Sequence, residues 1–297
     1  MKPVAIHALA AACLAAAAAP ALADAHSTAT FGNVTVTVID LDVNDGIDAG
    51  ITFFPEPTRY FAGALVRGEA NFGPNGSQGP GTQYRSFFTR GAWQDTDVSG
   101  GVQVDLASVS GSVTASATGV GFTALSLSGS ALSTPEERSH IWAYASVPAN
   151  PFGHLDYVLT ANTRVVFSVD ASMSARTTIG HVAGAPESES ASARMGLYAS
   201  GMAADGTTLL EDLQERGVSV AYTDGDAPGG ASDSWSGVLS ASFSNLGGSS
   251  TEGEFWAYAE ISGDSVISAV PEPSTWGMLL GGLGLVGAMA RRRNRPL

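Results

Sequence analysis

Lysine occurs once in this chain of 297 residues, at Lys2, and cysteine once, at Cys13. Both fall near the N-terminus, so everything beyond Cys13 must fold without a disulfide and without a zinc site made of cysteines. Stability has to come from a buried core or from bound ions. Arginine is scattered except at the extreme C-terminus, where Arg291, Arg292, Arg293 and Arg295 cluster, and the formal net charge is −14. Nucleic acid needs clustered Lys and Arg to neutralise its phosphates, so it is excluded as a partner. An acidic surface is compatible with divalent cations and with solubility outside the cell.

Signatures of catalysis are equally scarce. There is no Gly-x-Ser-x-Gly and no His-Glu-x-x-His, and beyond His7 the histidines His26, His140, His154 and His181 stand isolated. The glycine-rich run from Gly73 to Gly81 has no Lys-Ser/Thr or helix after it, so it is not a phosphate loop. Paired carboxylates for glycoside hydrolysis leave no local signature, and nothing in the chain points to them. The expectation is a protein without enzymatic activity and without a cofactor, calcium excepted as described below.

Long apolar runs are confined to the two ends. The first is MKPVAIHALAAACLAAAAAPALADAHS. Lys2 supplies a positive start, His7 to Ala19 an apolar run broken by Pro20, and Ala21-Leu22-Ala23 a small-x-small cleavage site. Residues 1–23 therefore read as a signal peptide, cut by signal peptidase after Ala23. The second is VPEPSTWGMLLGGLGLVGAMARRRNRPL. Pro271 and Pro273 hold the backbone around Glu272 extended and non-helical. Trp276 to Ala290 carries no charge, and with Ser274-Thr275 it spans about 25 Å as a helix, enough for a short transmembrane segment over about 274–290. Arg291, Arg292 and Arg293 open a basic tail, 291–297, that belongs on the cytoplasmic side.

A Pro-Glu-Pro, a short apolar helix and a terminal arginine cluster, in that order and beside a signal peptide, resemble the PEP-CTERM sorting signal. The resemblance runs from Val270 to Arg295. It implies a Gram-negative export recognised by an exosortase, a membrane-embedded cysteine transpeptidase, which removes the helix near Val270-Pro271-Glu272-Pro273. It further implies a transient inner-membrane anchor, then delivery to the cell surface or an exopolysaccharide matrix. The stretch IDLDVNDGIDAGITF resembles the start of β-rich bodies of unassigned activity that precede such signals, and no activity comes with that likeness.

Between the ends, residues 24–269 read as one extracytoplasmic domain with period-2 patterning. Asn33 to Ile39, NVTVTVI, puts Val34, Val36 and Val38 on one face. Similar runs recur at Val102–Leu106, Ser110–Thr118, Phe122–Leu127, Tyr157–Ala175, Ala191–Met202, Val218–Tyr222, Val238–Phe243 and Phe255–Ile261. Asn44-Asp45-Gly46 is a hairpin-type signal, and Ala161-Asn162-Thr163 splits one long run. Short strands at this spacing predict an all-β, antiparallel, jelly-roll-like sandwich. Thr207 to Arg216, TTLLEDLQER, is open between a short helix and a strand. Ile141–Ala145, IWAYA, is echoed by Phe255–Ala259, FWAYA, as two equivalent hairpins would be or as chance allows. No echo is found upstream of them, which argues against full duplication.

Three groups of residues could carry binding. Trp142 and Tyr144 share a strand face, as do Trp256 and Tyr258. Core packing, with the rings inward and alanines outside, is the expectation, and an aromatic platform for sugar rings is the alternative. Trp93 and Trp235 sit beside polar loops and are the better candidates for glycan stacking. Asp40, Asp42, Asn44 and Asp45, with Asp48, space oxygens as calcium requires, but Gly46 is one place late for an EF-hand and Ile51 stands where Glu belongs; an Asx-rich turn explains them equally. The expected role is a structural protein of the cell surface or exopolysaccharide matrix. A carbohydrate-binding module for the cell's own polysaccharide comes second and a secreted glycoside hydrolase third. An exposed aromatic strip would favour the binder, and facing carboxylates in a cleft the hydrolase.

Overall fold

The computed structural model describes residues 23–53, 64–74, 81–91, 97–116, 120–134, 137–148, 155–178, 189–221 and 230–266. The signal-peptide residues through Leu22, Trp93 and the whole C-terminal segment from 267 lie outside them. Among the described residues all regular structure is β. The strands are β1 (Ala23–Asp40), β2 (Ile51–Phe53), β3 (Leu65–Gly73), β4 (Gln83–Arg90), β5 (Val98–Val104), β6 (Ala107–Ala115), β7 (Phe122–Ser133), β8 (Arg138–Val147), β9 (Leu155–Leu159), β10 (Thr163–Thr177), β11 (Ser190–Met202), β12 (Leu209–Ala221), β13 (Ser232–Asn245) and β14 (Thr251–Ser265).

They form two antiparallel sheets. One has the order β13-β10-β1-β7-β6-β5, and the other β12-β11-β14-β8-β3-β4 with β9 and β2 added beside β14. Alternation explains how the sheets meet. In β10, Val165, Phe167, Val169, Ala171, Met173 and Ala175 fall on one face at period 2 and are all buried. They join Phe31, Leu125 and Leu127 from their own sheet and Ile141, Met195, Leu197, Phe255 and Ile261 from the facing one in a single core. Phe167 and Phe255 touch across the two layers, with ring centroids 4.5 Å apart. Each such side chain contributes about 1.5–3 kcal/mol by leaving water, which is how a chain without disulfides holds together.

The strand order contains a repeat. In β1-β3-β4-β7-β8, β1 pairs with β7, and β3 pairs with both β4 and β8. In β10-β11-β12-β13-β14, β10 pairs with β13, and β11 pairs with both β12 and β14. The halves join through β1–β10 in one sheet and β8–β14 in the other. The β5–β6 hairpin and the β2–β9 pair are additions to this scheme. The fold is thus a β-sandwich of two five-strand units, not the eight-strand double Greek key of a jelly roll. The echoed IWAYA and FWAYA segments occupy equivalent strands, so the duplication is of topology even where no sequence echo survives.

Other expectations are corrected by long-range pairing. β7 and β8 lie in different sheets, as do β13 and β14, so the echoed segments follow crossovers and not hairpins. Ala161-Asn162-Thr163 does turn the chain, with Asn162 at φ +48°, but it carries it from β9 in one sheet to β10 in the other. Asn44-Asp45-Gly46 also turns, with Gly46 at φ +74°, yet β1 and β2 do not pair. TTLLEDLQER is strand from Leu209 on: β12 lies at the sheet edge, laddered to β11 alone, which is why Leu209, Leu210 and Leu213 stay exposed.

The two poles of the sandwich differ. Ala23 stands opposite Ser133, whose hydroxyl is 2.9 Å from that of Ser265, so the first and last strands meet at one pole. β1 leaves that pole and runs 18 residues, about 55–60 Å, to the other. There the loops meet: Leu41 N–H donates to Asn162 O at 2.8 Å, and Asn162 N–H to Gly247 O at 3.2 Å.

Candidate functional site

The outer face of the eight-stranded sheet carries the largest set of candidate residues. In β8, Ile141, Ala143, Ala145 and Val147 point into the core; in β14, Phe255, Ala257, Ala259 and Ile261 do. Alternation then forces Trp142, Tyr144, Trp256 and Tyr258 to the outside. This reverses the expected inward rings and outward alanines. The facing sheet supplies the bulk between the layers, through Phe31, Leu125, Leu127 and Phe167, and small inward residues let it approach.

The outward rings form one row. Trp142 stacks beside Tyr144 (centroids 6.4 Å, planes 11° apart), Tyr144 beside Tyr258 (6.2 Å, 19°) and Tyr258 beside Trp256 (4.8 Å, 19°), with Tyr198 edge-on to Trp256 at 6.3 Å. The Arg67 guanidinium lies 4.9 Å from the Trp142 ring centre and 5.3 Å from that of Tyr144, and Arg194 lies 5.6 Å from Tyr258. These are cation–π distances. Gly196 sits directly across from Tyr258, and a Cβ on it would fall 2.3 Å from the ring, so only glycine lets the tyrosine lie flat there.

Polar ends of the row are tied to carboxylates. Trp142 Nε1–H donates to Glu260 Oε1 at 2.7 Å, and Arg194 Nη2–H to Glu260 Oε2 at 3.0 Å. Tyr198 donates to Glu211 at 2.9 Å and Tyr258 to Glu215. Burial pushes the Tyr144 and Tyr198 phenols above the usual tyrosine range. Tyr144 Oη lies near Ser146 and Trp256 without meeting hydrogen-bond geometry, so Tyr144 Oη, Ser146 Oγ and Trp256 Nε1 are buried polar atoms lacking a partner. Below this row, His140 Nδ1 shares a 2.8 Å hydrogen bond with Asp264, which raises the histidine pKa.

Beside Trp142 the surface dips into a groove of about 530 Å³ lined by Trp142, Ser192, Arg194, Gly217, Ser219, Glu260 and Ser262, together with Ala193 and Val218. It crosses β12, β11, β14 and β8. Sequence reasoning missed Arg67, Arg194, Gly196 and Glu260. They lie on three strands, Arg67 on β3, Arg194 and Gly196 on β11 and Glu260 on β14, and only the strand register brings those strands together.

The other candidates fall elsewhere. Trp235 packs against the edge of the core opposite Met173, instead of standing free over a loop. At the pole away from Ala23 the calcium candidates form successive Asx turns. Asp40 Oδ1 accepts from Asp42 N–H, Asp42 Oδ1 from Asn44 N–H, and Asp45 Oδ1 from Ile47 N–H. Asp45 Oδ2 also accepts from Asn162 Nδ2 at 2.7 Å, and these bonds lower its pKa. Ala23 is buried at the start of β1, and Ala21, Trp93, Val270, Pro271, Glu272, Pro273, Arg291, Arg292 and Arg293 lie outside the described residues. No described helix is long and apolar enough to cross a membrane, and the expected span at about 274–290 is likewise outside them.

Compared with known proteins, the chain finds no match among curated proteins and none among solved structures. One family model does match, over residues 269–293, a range that takes in Pro271-Glu272-Pro273, the apolar run and Arg291 to Arg293. The chain carries the PEP-CTERM protein-sorting motif, the C-terminal mark of exported proteins that an exosortase processes.

Proposed function

We propose that this is a non-enzymatic structural protein of the cell surface or exopolysaccharide matrix. Signal peptidase frees its start after Ala23. Residues 274–290 hold it briefly in the inner membrane with the basic tail inside, and an exosortase removes that helix near Pro271-Glu272-Pro273. The sorting motif at residues 269–293 carries the reading. The fold supports it: the first and last strands meet at one pole, so a body tethered through its C-terminal end extends its far pole outward. Fractionation with intact-mass analysis of the wild type and Glu272→Ala tests it. The wild type is expected at the surface or in the medium without residues 274–297, and the variant is expected to stay in the membrane at full mature length. Identical mass and location in both would remove the reading.

The outer face favours a second reading, a carbohydrate-binding body: Tyr144 and Tyr258 are buried within the aromatic row, but the half-buried Trp142 and Trp256 at its two ends keep part of their rings at the surface. Both oxygens of Glu260 are engaged by Trp142 and Arg194, which suits holding a ligand better than moving a proton.

A further inference from the structure

We propose that the groove beside Trp142 is a binding subsite for an uncharged polysaccharide strand; this rests on the carbohydrate-binding reading. Two rows of side chains build it. Ser219, Ser192, Ser262 and Trp142 lie opposite one another across β12, β11, β14 and β8, and Gly217, Arg194, Glu260 and Tyr144 form the next row. Serines and a glycine make a low floor, and Trp142, Arg194 and Glu260 stand above it as a wall. Ser192 and Ser262 share a 2.8 Å hydrogen bond along the floor.

The chemistry suits a sugar ring. A pyranose offers an apolar C–H surface and a rim of hydroxyls that both donate and accept. The part of the half-buried Trp142 ring that Arg67 leaves open supplies the apolar side, and the ring is held by its bond to Glu260. Arg194 spends one N–H on Glu260 at 3.0 Å and keeps further donors in its planar fork, and the serine hydroxyls donate or accept as required. Charge selects among glycans. Among the described residues Arg194 is the one cation lining the groove, and it is paired with Glu260, inside a chain of formal net charge −14. A polyanionic glycan meets repulsion there, and an uncharged one does not.

Among the described residues the groove's lining is not repeated at the equivalent place in the other half, although the fold is built twice. Across the local axis between the halves, the row equivalent to Tyr144, Glu260, Arg194 and Gly217 reads Tyr258, Ser146, Leu65 and Arg90. Leu65 and Arg90 occupy the places of Arg194 and Gly217, so the low glycine floor is not repeated there. The shared aromatic row belongs to the scaffold, and the groove belongs to one side of it.

Affinity electrophoresis of the full chain in mild detergent, through gels carrying dextran, mannan, galactan or alginate, tests the proposal. The expected result is retardation by at least one of the three uncharged polymers and none by alginate. Ser219→Phe, which fills the floor from the edge strand, and Arg194→Gln should each weaken that retardation about tenfold or more. Ser240→Phe, the same change on the outer face of the other sheet, should leave it unchanged, and thermal melts confirm that all variants fold. No retardation in any uncharged polymer, retardation by alginate alone, or equal retardation of wild type, Ser219→Phe and Arg194→Gln would overturn the proposal. The mass of the processed C-terminus is read separately, so failure here leaves the sorting reading standing.

Discussion

Ala145 of β8 lies directly opposite Ala259 of β14, and these two residues hold the same place in the two copies of the echoed pentapeptide. A residue that pairs with its own counterpart marks a local two-fold axis. That axis explains the order of the outward rings, Trp142, Tyr144, Tyr258, Trp256, which reads the same from either end. It also places both alanines in the core, where neither adds bulk between the sheets.

The unpaired phenol of Tyr144 predicts an unusual response to mutation. Tyr144→Phe removes a buried hydroxyl that has no hydrogen bond, so stability should stay level or rise by up to about 1 kcal/mol. Tyr157→Phe is the contrast. Its hydroxyl donates to Ser200 O at 2.8 Å, and the change should cost about 1–3 kcal/mol through the orphaned carbonyl. Urea unfolding of both variants measures the difference, and equal losses would refute it.

Gly196→Ala should destabilise by about 1–3 kcal/mol, because the new Cβ collides with a Tyr258 ring held by Trp256, Arg194 and Glu215. Tyr258→Ala removes the obstacle, so the double variant should lose less than the two single losses added together. Strict additivity in a double-mutant cycle would show that the ring does not rest on Gly196.

His140 and Asp264 make part of the stability depend on pH. The hydrogen bond to Asp264 raises the folded pKa of His140 above its ordinary value near 6.5. A raised folded pKa means that the protonated form is preferred in the folded state. Its contribution is therefore complete below about pH 6.5 and fades as pH rises through the higher folded value. His26 works the other way, since burial and Arg176 lower its pKa, so the net profile combines both. The stability gap between wild type and His140→Gln should be wider at pH 5 than at pH 8. A gap that widens toward pH 8 would contradict the pairing.

The turn between β11 and β12 depends on Asp205. Its carboxylate accepts from Thr207 N–H and Thr208 N–H, each at 2.8 Å, and from the Thr208 hydroxyl at 2.6 Å, which lowers its pKa to about 2. A lowered folded pKa gives stability above the unfolded value near 3.8 that is lost as pH falls toward about 2. Asp205→Ala should lower the thermal midpoint at neutral pH and reduce its acid sensitivity. An unchanged midpoint at neutral pH would show that the turn forms without this cap.

Strand existence was legible because alternation is a local signal: Val34, Val36 and Val38 declare a strand without knowledge of any partner. The direction of each face was not. Ile141, Ala143 and Ala145 alternate with Trp142 and Tyr144, and both sets are apolar enough to be buried. What decides is the facing sheet, whose phenylalanines and leucines take the space. The same limit hid the groove, since Arg194, Gly217 and Glu260 become neighbours only through register. β12 was ambiguous because Leu209, Leu210 and Leu213 lie on an exposed edge, where no buried face imposes a period. The sorting motif, by contrast, is contiguous, and contiguous order was enough to read it.

The most direct measurement is the intact mass of the surface-held or released protein from cells with and without their exosortase. With the enzyme, the mass should correspond to a chain that begins at Asp24 and ends near Pro271-Glu272-Pro273. Without it, the chain should remain in the inner membrane and extend to Leu297. A surface protein that keeps residues 274–297, or the same truncated mass in both cells, would contradict the assignment of those residues as an exosortase signal.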